Sequence, residues 1–493
     1  MPSPMMTSGA QNARALLQGI AHRVMLSRGL APDFSAEALA ELARIDQPAT
    51  DGKALDLRHL AWCSIDNDDS RDLDQLSMAE SLPGGACRLL VAIADVTALV
   101  PNGSALDTHA RQNTTSVYTA AAIFPMLPEK LSNDLTSLNY PEVRLAMVTD
   151  MTFAASGDLT ASSIYQAQVR NQAKLAYNST AAWLDGTGSR PPAMAAVPGL
   201  GDNIRLQYQL ACKLAEQRHR HGALSLETLQ ARSVFAGDLL TGLEADTPNS
   251  AKRLIEDLMI AANGVAARFL AERRYPSIRR VVRTPAHWDL IVDLAEEYGE
   301  RLPSQPDAVA LEQFLVAAKS VRPAQFPDLS LSVIKLMGAG EYVLEAPGAK
   351  AAGHFGLAVK DYAHSTAPNR RYPDVITQRL LKSALANQPP PYSLDELADL
   401  ARHCTEQENA AKKVERQVGK SAAALLLGHS IGRQFEASVT GAAQKGTWVR
   451  INQPPVEGRL NNPPDGLRVG DRLRVRLVHT DVERGHIDFR AGG

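Results

Sequence analysis

The sequence predicts an α+β protein in three parts: a small all-α N-terminal module of helix-turn-helix type over 1–50, a large central domain of mixed sheet and helices over 51–428, and an OB-fold β-barrel over 429–493. Three observations predict it. The chain has 493 residues, and chains beyond about 250–300 residues usually divide into domains. Strand-like and helix-like runs alternate from Asp51 to about Leu426. Five short strand-like runs separated by Gly, Asn and Pro fill the C-terminal end, the pattern of a small Greek-key barrel.

In order along the chain, Leu16, Leu17, Ile20, Val24 and Met25 recur at helical spacing until Gly29 and Pro32 break the run. Ser35 is placed to cap a second helix through Leu39 and Leu42. Cys87–Val100 and Val143–Phe153 read as strands, and the Gly-, Pro- and Ala-rich segment Asp185–Gly201 as a surface loop. Ser250–Leu270 reads as a helix with Leu254, Leu258, Ala261, Val265 and Phe269 on one face. The barrel strands are expected at Phe435–Thr440, Thr447–Ile451, Glu457–Leu460, Arg472–His479 and Ile487–Phe489.

Apolar residues are 45% and charged residues 22% of the chain, which excludes wholesale disorder and fibrous repeats. Cys63, Cys87, Cys212 and Cys404 are widely spaced with no CxxC pair, so neither a zinc cluster nor a disulfide scaffold is expected. With no secretory h-region and no long apolar stretch, a soluble protein of the reducing cytoplasm is expected, acting without a membrane and as a monomer. The 52 Lys and Arg nearly balance 54 Asp and Glu. The balance is uneven along the chain, because Ile431–Gly493 holds ten basic and seven acidic residues, a local +3. Arg472, Arg474 and Arg476 alternate with Leu473 and Val475, so a strand projects all three arginines from one face. With Trp448 and Phe435 they suit single-strand binding; a solvated barrel face is the alternative.

The densest signal is Ser64–Leu76, where five of the nine residues from Asp66 to Asp74 are aspartates. Two carboxylates ~4 Å apart repel by roughly 1 kcal/mol in water and about 4 kcal/mol at an effective dielectric of 20. A divalent cation reverses that sign, and oxygen-only ligands select hard ions such as Mg²⁺ or Mn²⁺. Asp66, Asp72 and Asp74 stand an even number of residues apart, so an extended chain could aim them at one point, whereas Asp68 and Asp69 could be loop residues; an acidic surface turn is the alternative. In the second dense segment, His354–Gln378, Arg370 and Arg371 lie between Pro368 and Pro373. Two guanidiniums in a constrained turn suit phosphate recognition, with Asp374 as a partner that orients one of them; a structural Arg–Asp pair is equally consistent.

These motifs resemble the RNase II (RNB) family of 3′→5′ exoribonucleases. IDNDDSRDLDQ is similar to its acidic signature, FPMLPEKLSNDLTSLN (Phe124–Asn139) to its IPMLPEKLS–LCSLN block, and His354–Gln378 to its signature around SPxRRYPD. VAIADV (Val91–Val96) and RLIEDLMIAAN (Arg253–Asn263) match as well, and the tail resembles the S1-type RNA-binding domain. The resemblance implies a central RNB catalytic domain that hydrolyses single-stranded RNA to nucleoside 5′-monophosphates, with Mg²⁺ as cofactor and Mn²⁺ as substitute. It implies Asp66, Asp72 and Asp74 as metal ligands, and Asp74, Asp72, Arg370 and Glu415 as catalytic. The resemblance further implies that Tyr118 stacks on the 3′-terminal base, that Tyr177 and Glu256 lie near the ribose 2′-hydroxyl, and that Arg371 and Leu226 complete the substrate-binding set.

The chain departs from the pattern in several places. Gln75 follows Asp74 where the family has a second aspartate, Leu226 stands where a phenylalanine is common, and Ser365 and Asn369 are atypical. About 50 helix-like residues stand where tandem cold-shock barrels are usual. Two other readings follow: a non-catalytic RNB-fold RNA-binding or regulatory protein, and a nuclease acting on DNA or cutting internally.

Overall fold

The computed structural model describes residues 12–227, 230–323, 325–349, 353–443 and 446–492. Its first elements are α1 (Ala13–Ser27), α2 (Ala36–Leu42), β1 (Leu55–Asp56), β2 (Cys63–Asp66), β3 (Gln75–Ser81) and β4 (Cys87–Ala94). There follow α3 (Ala105–Asn113), β5 (Val117–Tyr118), β6 (Ile123–Phe124), β7 (Val143–Phe153), β8 (Leu159–Arg170), β9 (Ala173–Ala176) and α4 (Tyr177–Leu184). Strands β1, β8, β7, β4, β3, β2 and β9 form one sheet in that order, parallel only at its two outer pairs. β4 is a nearly unbroken apolar run, and its residues are buried on both faces at the sheet's centre. It stops at Ala94, short of the Val100 expected from the pattern, because Asp95 turns away to bind Lys382 and a 3₁₀ turn follows.

The chain continues through α5 (Pro192–Ala195), α6 (Leu200–Arg220), the hairpin β10 (Gln230–Ala236) and β11 (Leu239–Asp246), and α7 (Ser250–Glu272). The segment expected as a plain loop before α6 instead contains α5, whose Met194 is fully buried in the main core. α7 is covered on most sides, by α4, α6, α11 and the sheet, so a one-sided apolar face understates its burial. Next come β12 (Ser277–Val281), α8 (Trp288–Glu297), α9 (Ala308–Val321), α10 (Phe326–Met337), β13 (Glu341–Glu345), α11 (Tyr372–Leu385) and the long α12 (Leu394–Leu427). α8, α9 and α10 build a core of their own around Trp288, Phe314 and Phe326.

The N-terminal helices lie on the body rather than on each other. α1 seats Leu17, Ile20, Val24 and Met25 in a cluster with Val414, Val418 and Ala422 of α12, and α2 packs against α3. Helices this short carry too little apolar surface to close a core alone. Ser35 caps α2 as expected, its hydroxyl accepting from the Ala38 amide.

The C-terminal strands are β14 (Gln434–Ala443), β15 (Gly446–Ile451), β16 (Val456–Asn461), β17 (Arg472–Asp481) and β18 (His486–Ala491), closed into a barrel in the order β14-β15-β16-β18-β17. Val439, Val449, Ile451, Val475, Leu477 and Phe489 fill it. Gly458 is obligatory there, since a Cβ would stand 2.6 Å from both the Ile487 carbonyl and the Phe489 ring. Arg472, Arg474 and Arg476 are all exposed along β17, as the alternation requires. The four cysteines are free, and among the described residues no helix is long and apolar enough to cross a membrane.

Candidate active site

β2 ends on Asp66, and the chain leaves the sheet through an exposed turn carrying Asp68 and Asp69 before Asp72 and Asp74 lead into β3. The Asp66 carboxylate accepts from the Asn67 amide at 2.7 Å and the Ser70 hydroxyl at 2.9 Å. The returning limb is clamped from outside. Ser137 donates to the Arg71 carbonyl at 2.7 Å and accepts from the Leu73 amide at 2.9 Å, while the Leu138 amide donates to the Leu73 carbonyl at 2.9 Å. The conspicuous PMLPEKL block thus ends in residues that shape the acidic loop.

Asp74 is 2% exposed. It accepts from the Asn369 amide at 2.9 Å, and Arg370 Nε stands 3.4 Å from its other oxygen. Burial pushes the Asp74 carboxyl up to about 7; Arg370 opposes that rise and Asp72 adds to it. Burial also raises Asp72, whose charge is favoured by the Tyr118 hydroxyl and opposed by Asp66. Asp72 therefore feels the charge of Asp66, and Asp74 that of Asp72, so negative charge accumulates along this limb.

The arginine turn and the tyrosine strand form one unit. The Ser116 amide donates to the Arg370 carbonyl at 3.0 Å and the Tyr372 amide to the Thr114 carbonyl at 2.8 Å, which fixes Arg370 beside β5. Tyr118, 39% exposed, donates from its hydroxyl to Asp72 at 3.1 Å and from its amide to Glu415 of α12 at 2.9 Å. Burial raises the Glu415 carboxyl. The Arg370 side chain is 44% exposed, whereas Arg371 is held at 2.8 Å by the fully buried Asp374, so the expected orienting carboxylate serves Arg371. Tyr118, His364, Arg370, Arg371, Glu408 and Glu415 line a cavity of about 190 Å³ behind this unit.

The remaining expected residues divide. Tyr177, the first residue of α4, is half-buried, and burial followed by the nearby Asp66 charge raises its hydroxyl. Glu256 is exposed on α7 beside Asp257, within electrostatic reach of Tyr362. Leu226 is partly buried against the α8–α10 cluster, and Gln75 opens β3 opposite Ile93. Ser365 caps Asn263 of α7, its amide and hydroxyl both donating to the Asn263 side-chain oxygen. Sequence reasoning missed Ser137 and Thr136; their place inside the PMLPEKL-type block was the available signal.

Among the described residues no three His, Cys, Asp or Glu side chains converge closely enough to hold an ion as they stand. The donor set is nonetheless chemically right for a hard cation: oxygen-only, mutually repelling, and with Asp74 shielded from water.

Residues 54–387 match the family model described as the RNB domain, and residues 433–492 the RNase II-type exonuclease C-terminal S1 domain. The chain is 30% identical over 472 residues to "Ribonuclease R" of Escherichia coli K12, covering 88% of this chain and 57% of that protein. It is 32% identical over 405 residues to "Exoribonuclease 2" of Escherichia fergusonii, covering 80% and 61%. The chain thus spans about three-fifths of the length of these relatives. Mycoplasma genitalium RNase R, solved in complex with ribose methylated single-stranded RNA, shares the fold with a TM-score of 0.87 at 21% identity, over 97% of this chain and 78% of that one.

Proposed function

The chain belongs to the RNB family, and from that premise we propose that it is a Mg²⁺-dependent hydrolytic 3′→5′ exoribonuclease that converts single-stranded RNA to nucleoside 5′-monophosphates. The carrying observation is that hydrogen bonds join Tyr118 to Asp72 and Glu415, an ion pair joins Arg370 to Asp74, and the Ser116 amide ties the arginine turn to the tyrosine strand, so that segments far apart in the chain meet at the acidic loop.

Single-stranded RNA approaches along the basic row of the barrel, where Arg472 and Arg476 offer exposed charge to phosphates and Arg474 is engaged by Glu436. The 3′-terminal base stacks on the exposed Tyr118 ring. Arg370 takes oxygens of the scissile phosphate and offsets the charge that builds on them, while Arg371, bound to Asp374, keeps the turn in shape. Tyr177 and Glu256 address the ribose 2′-hydroxyl. Asp66, Asp72 and Asp74 would hold the ion, Mg²⁺ or Mn²⁺ in its place, once their carboxylates draw together around it, and the ion would supply an activated water and polarise the phosphate. Leu226 is seated against the α8–α10 core and brings no second ring to the terminal bases, which loosens the hold on them by about 1–3 kcal/mol. The protein acts as a cytoplasmic monomer.

The test is incubation of RNA labelled at its 5′ end and, separately, in its 3′-terminal nucleotides, together with the deoxy counterparts, with the pure protein and Mg²⁺. Mononucleotides released stepwise from the RNA 3′ end support the reading. A ladder of internal cuts or preference for DNA contradicts it, and RNA binding without any product favours the non-catalytic alternative that Gln75 and Leu226 motivate.

A further inference from the structure

Thr136 and Asn369 are both buried, 4% and 0% exposed, and meet although they are far apart in the chain. Thr136 stands in LTSLN where the block it resembles has a cysteine, and Asn369 is the atypical residue of the arginine signature. The Thr136 hydroxyl oxygen lies 2.8 Å from the Leu131 carbonyl and 2.6 Å from the Asn369 side-chain oxygen as placed. A hydroxyl has one proton and cannot donate to both. The Asn369 side-chain nitrogen, meanwhile, is buried with no partner, an arrangement that a buried polar group avoids. Turning the amide over removes the double donation and gives the nitrogen a partner, leaving the Asn369 side-chain oxygen as the end without one. The NH₂ group then donates to the Thr136 oxygen, whose single proton goes to Leu131.

Both ends of this bond reach the site. The Thr136 amide also donates to the Leu131 carbonyl at 3.0 Å, closing the π-helical turn Leu131–Leu135, and Ser137 next to it clamps Arg71 and Leu73. At the other end, the Asn369 backbone amide donates to Asp74, and Arg370 follows directly. We propose that the Asn369 amide donates to the Thr136 hydroxyl, and that this buried pair consists of positioning residues that hold the Asp74 carboxylate and Arg370 in register for the reaction. The positioning role rests on the exoribonuclease reading.

The full chain is compared with Thr136→Val, Thr136→Ser, Asn369→Leu and the double variant Thr136→Val/Asn369→Leu. Mononucleotide release from a 3′ single-stranded RNA and hydrogen exchange at the Asn369 backbone amide are measured on each. Thr136→Val is expected to lower kcat about 10-fold with KM within about twofold, and to speed exchange of that amide about 10-fold. Thr136→Ser keeps the hydroxyl and behaves as the parent. Because the pair acts as a unit, the double variant is no slower than the worse single variant. Unchanged kcat and exchange in Thr136→Val, losses that multiply in the double variant, or a lowered Tm as the sole effect overturns the proposal. If the parent protein releases no mononucleotide, the exoribonuclease reading fails by itself, and the exchange rate alone decides whether the pair holds Asn369 against Asp74.

Discussion

The acidic site and the C-terminal barrel both concentrate charge, yet they are built on opposite terms. On β17 the arginines alternate with Val475 and Leu477 and stand in water, so strand geometry alone places them and solvation keeps them inexpensive. At Asp74 a carboxylate is taken out of water and held by an amide and a guanidinium from a distant segment. Its charge depends on partners that must be delivered by the whole fold. The barrel face should therefore tolerate substitution and tune affinity, while the acidic site should fail when a single partner changes.

The largest effect that tests this contrast is Asp74→Asn. Removing the buried charge is expected to slow mononucleotide release by about 10³-fold, the scale of losing one electrostatic group at a reacting centre, with RNA affinity nearly unchanged; retained cleavage in a single-turnover assay contradicts the metal assignment. Arg370→Lys comes next. It keeps the positive charge but loses the planar fork, and a loss of kcat of about 10²-fold separates directed phosphate binding from mere charge balance. Tyr118→Ala should weaken binding of a short RNA by about 1–3 kcal/mol, read by fluorescence anisotropy. Tyr118→Phe, which removes only the hydroxyl bonded to Asp72, should leave that affinity near the parent value. The smallest effect belongs to the barrel. Replacing Arg472 and Arg476 by Ala should leave single-turnover cleavage unaltered and reduce the slope of log K against log salt by about 0.7 per arginine. Arg474→Ala should change the slope least, because Glu436 already neutralises that residue.

How far the architecture was legible follows from how local each signal is. Five barrel strands were readable because each pairs alternation with a turn residue, and all five occur within a residue or a few of the expected positions. The capping role of Ser35 and the helix beginning at Ser250 were readable for the same reason. The placement of α1 on α12 was not, since an amphipathic helix states that it needs a partner but not which one. Met194 shows the same limit: Gly, Pro and Ala around it signal a loop, and only packing reveals the side chain inserted into the core.

At the candidate site, the sequence by itself supplied the candidate groups: residue type and spacing singled out a run of aspartates that repel one another and two arginines confined between prolines, while the family resemblance singled out the tyrosine preceding the PMLPEKL block. Only the tertiary structure decided the division of labour among them. It paired Arg371 with Asp374 and left Arg370 44% exposed beside Asp74, tied Tyr118 to both Asp72 and Glu415, and set Leu226 against a separate helical core. It also joined Thr136 to Asn369. The physical reason is that a buried charge or amide is stable only with partners at hydrogen-bonding distance, and those partners come from segments that chain folding, not chain order, brings together.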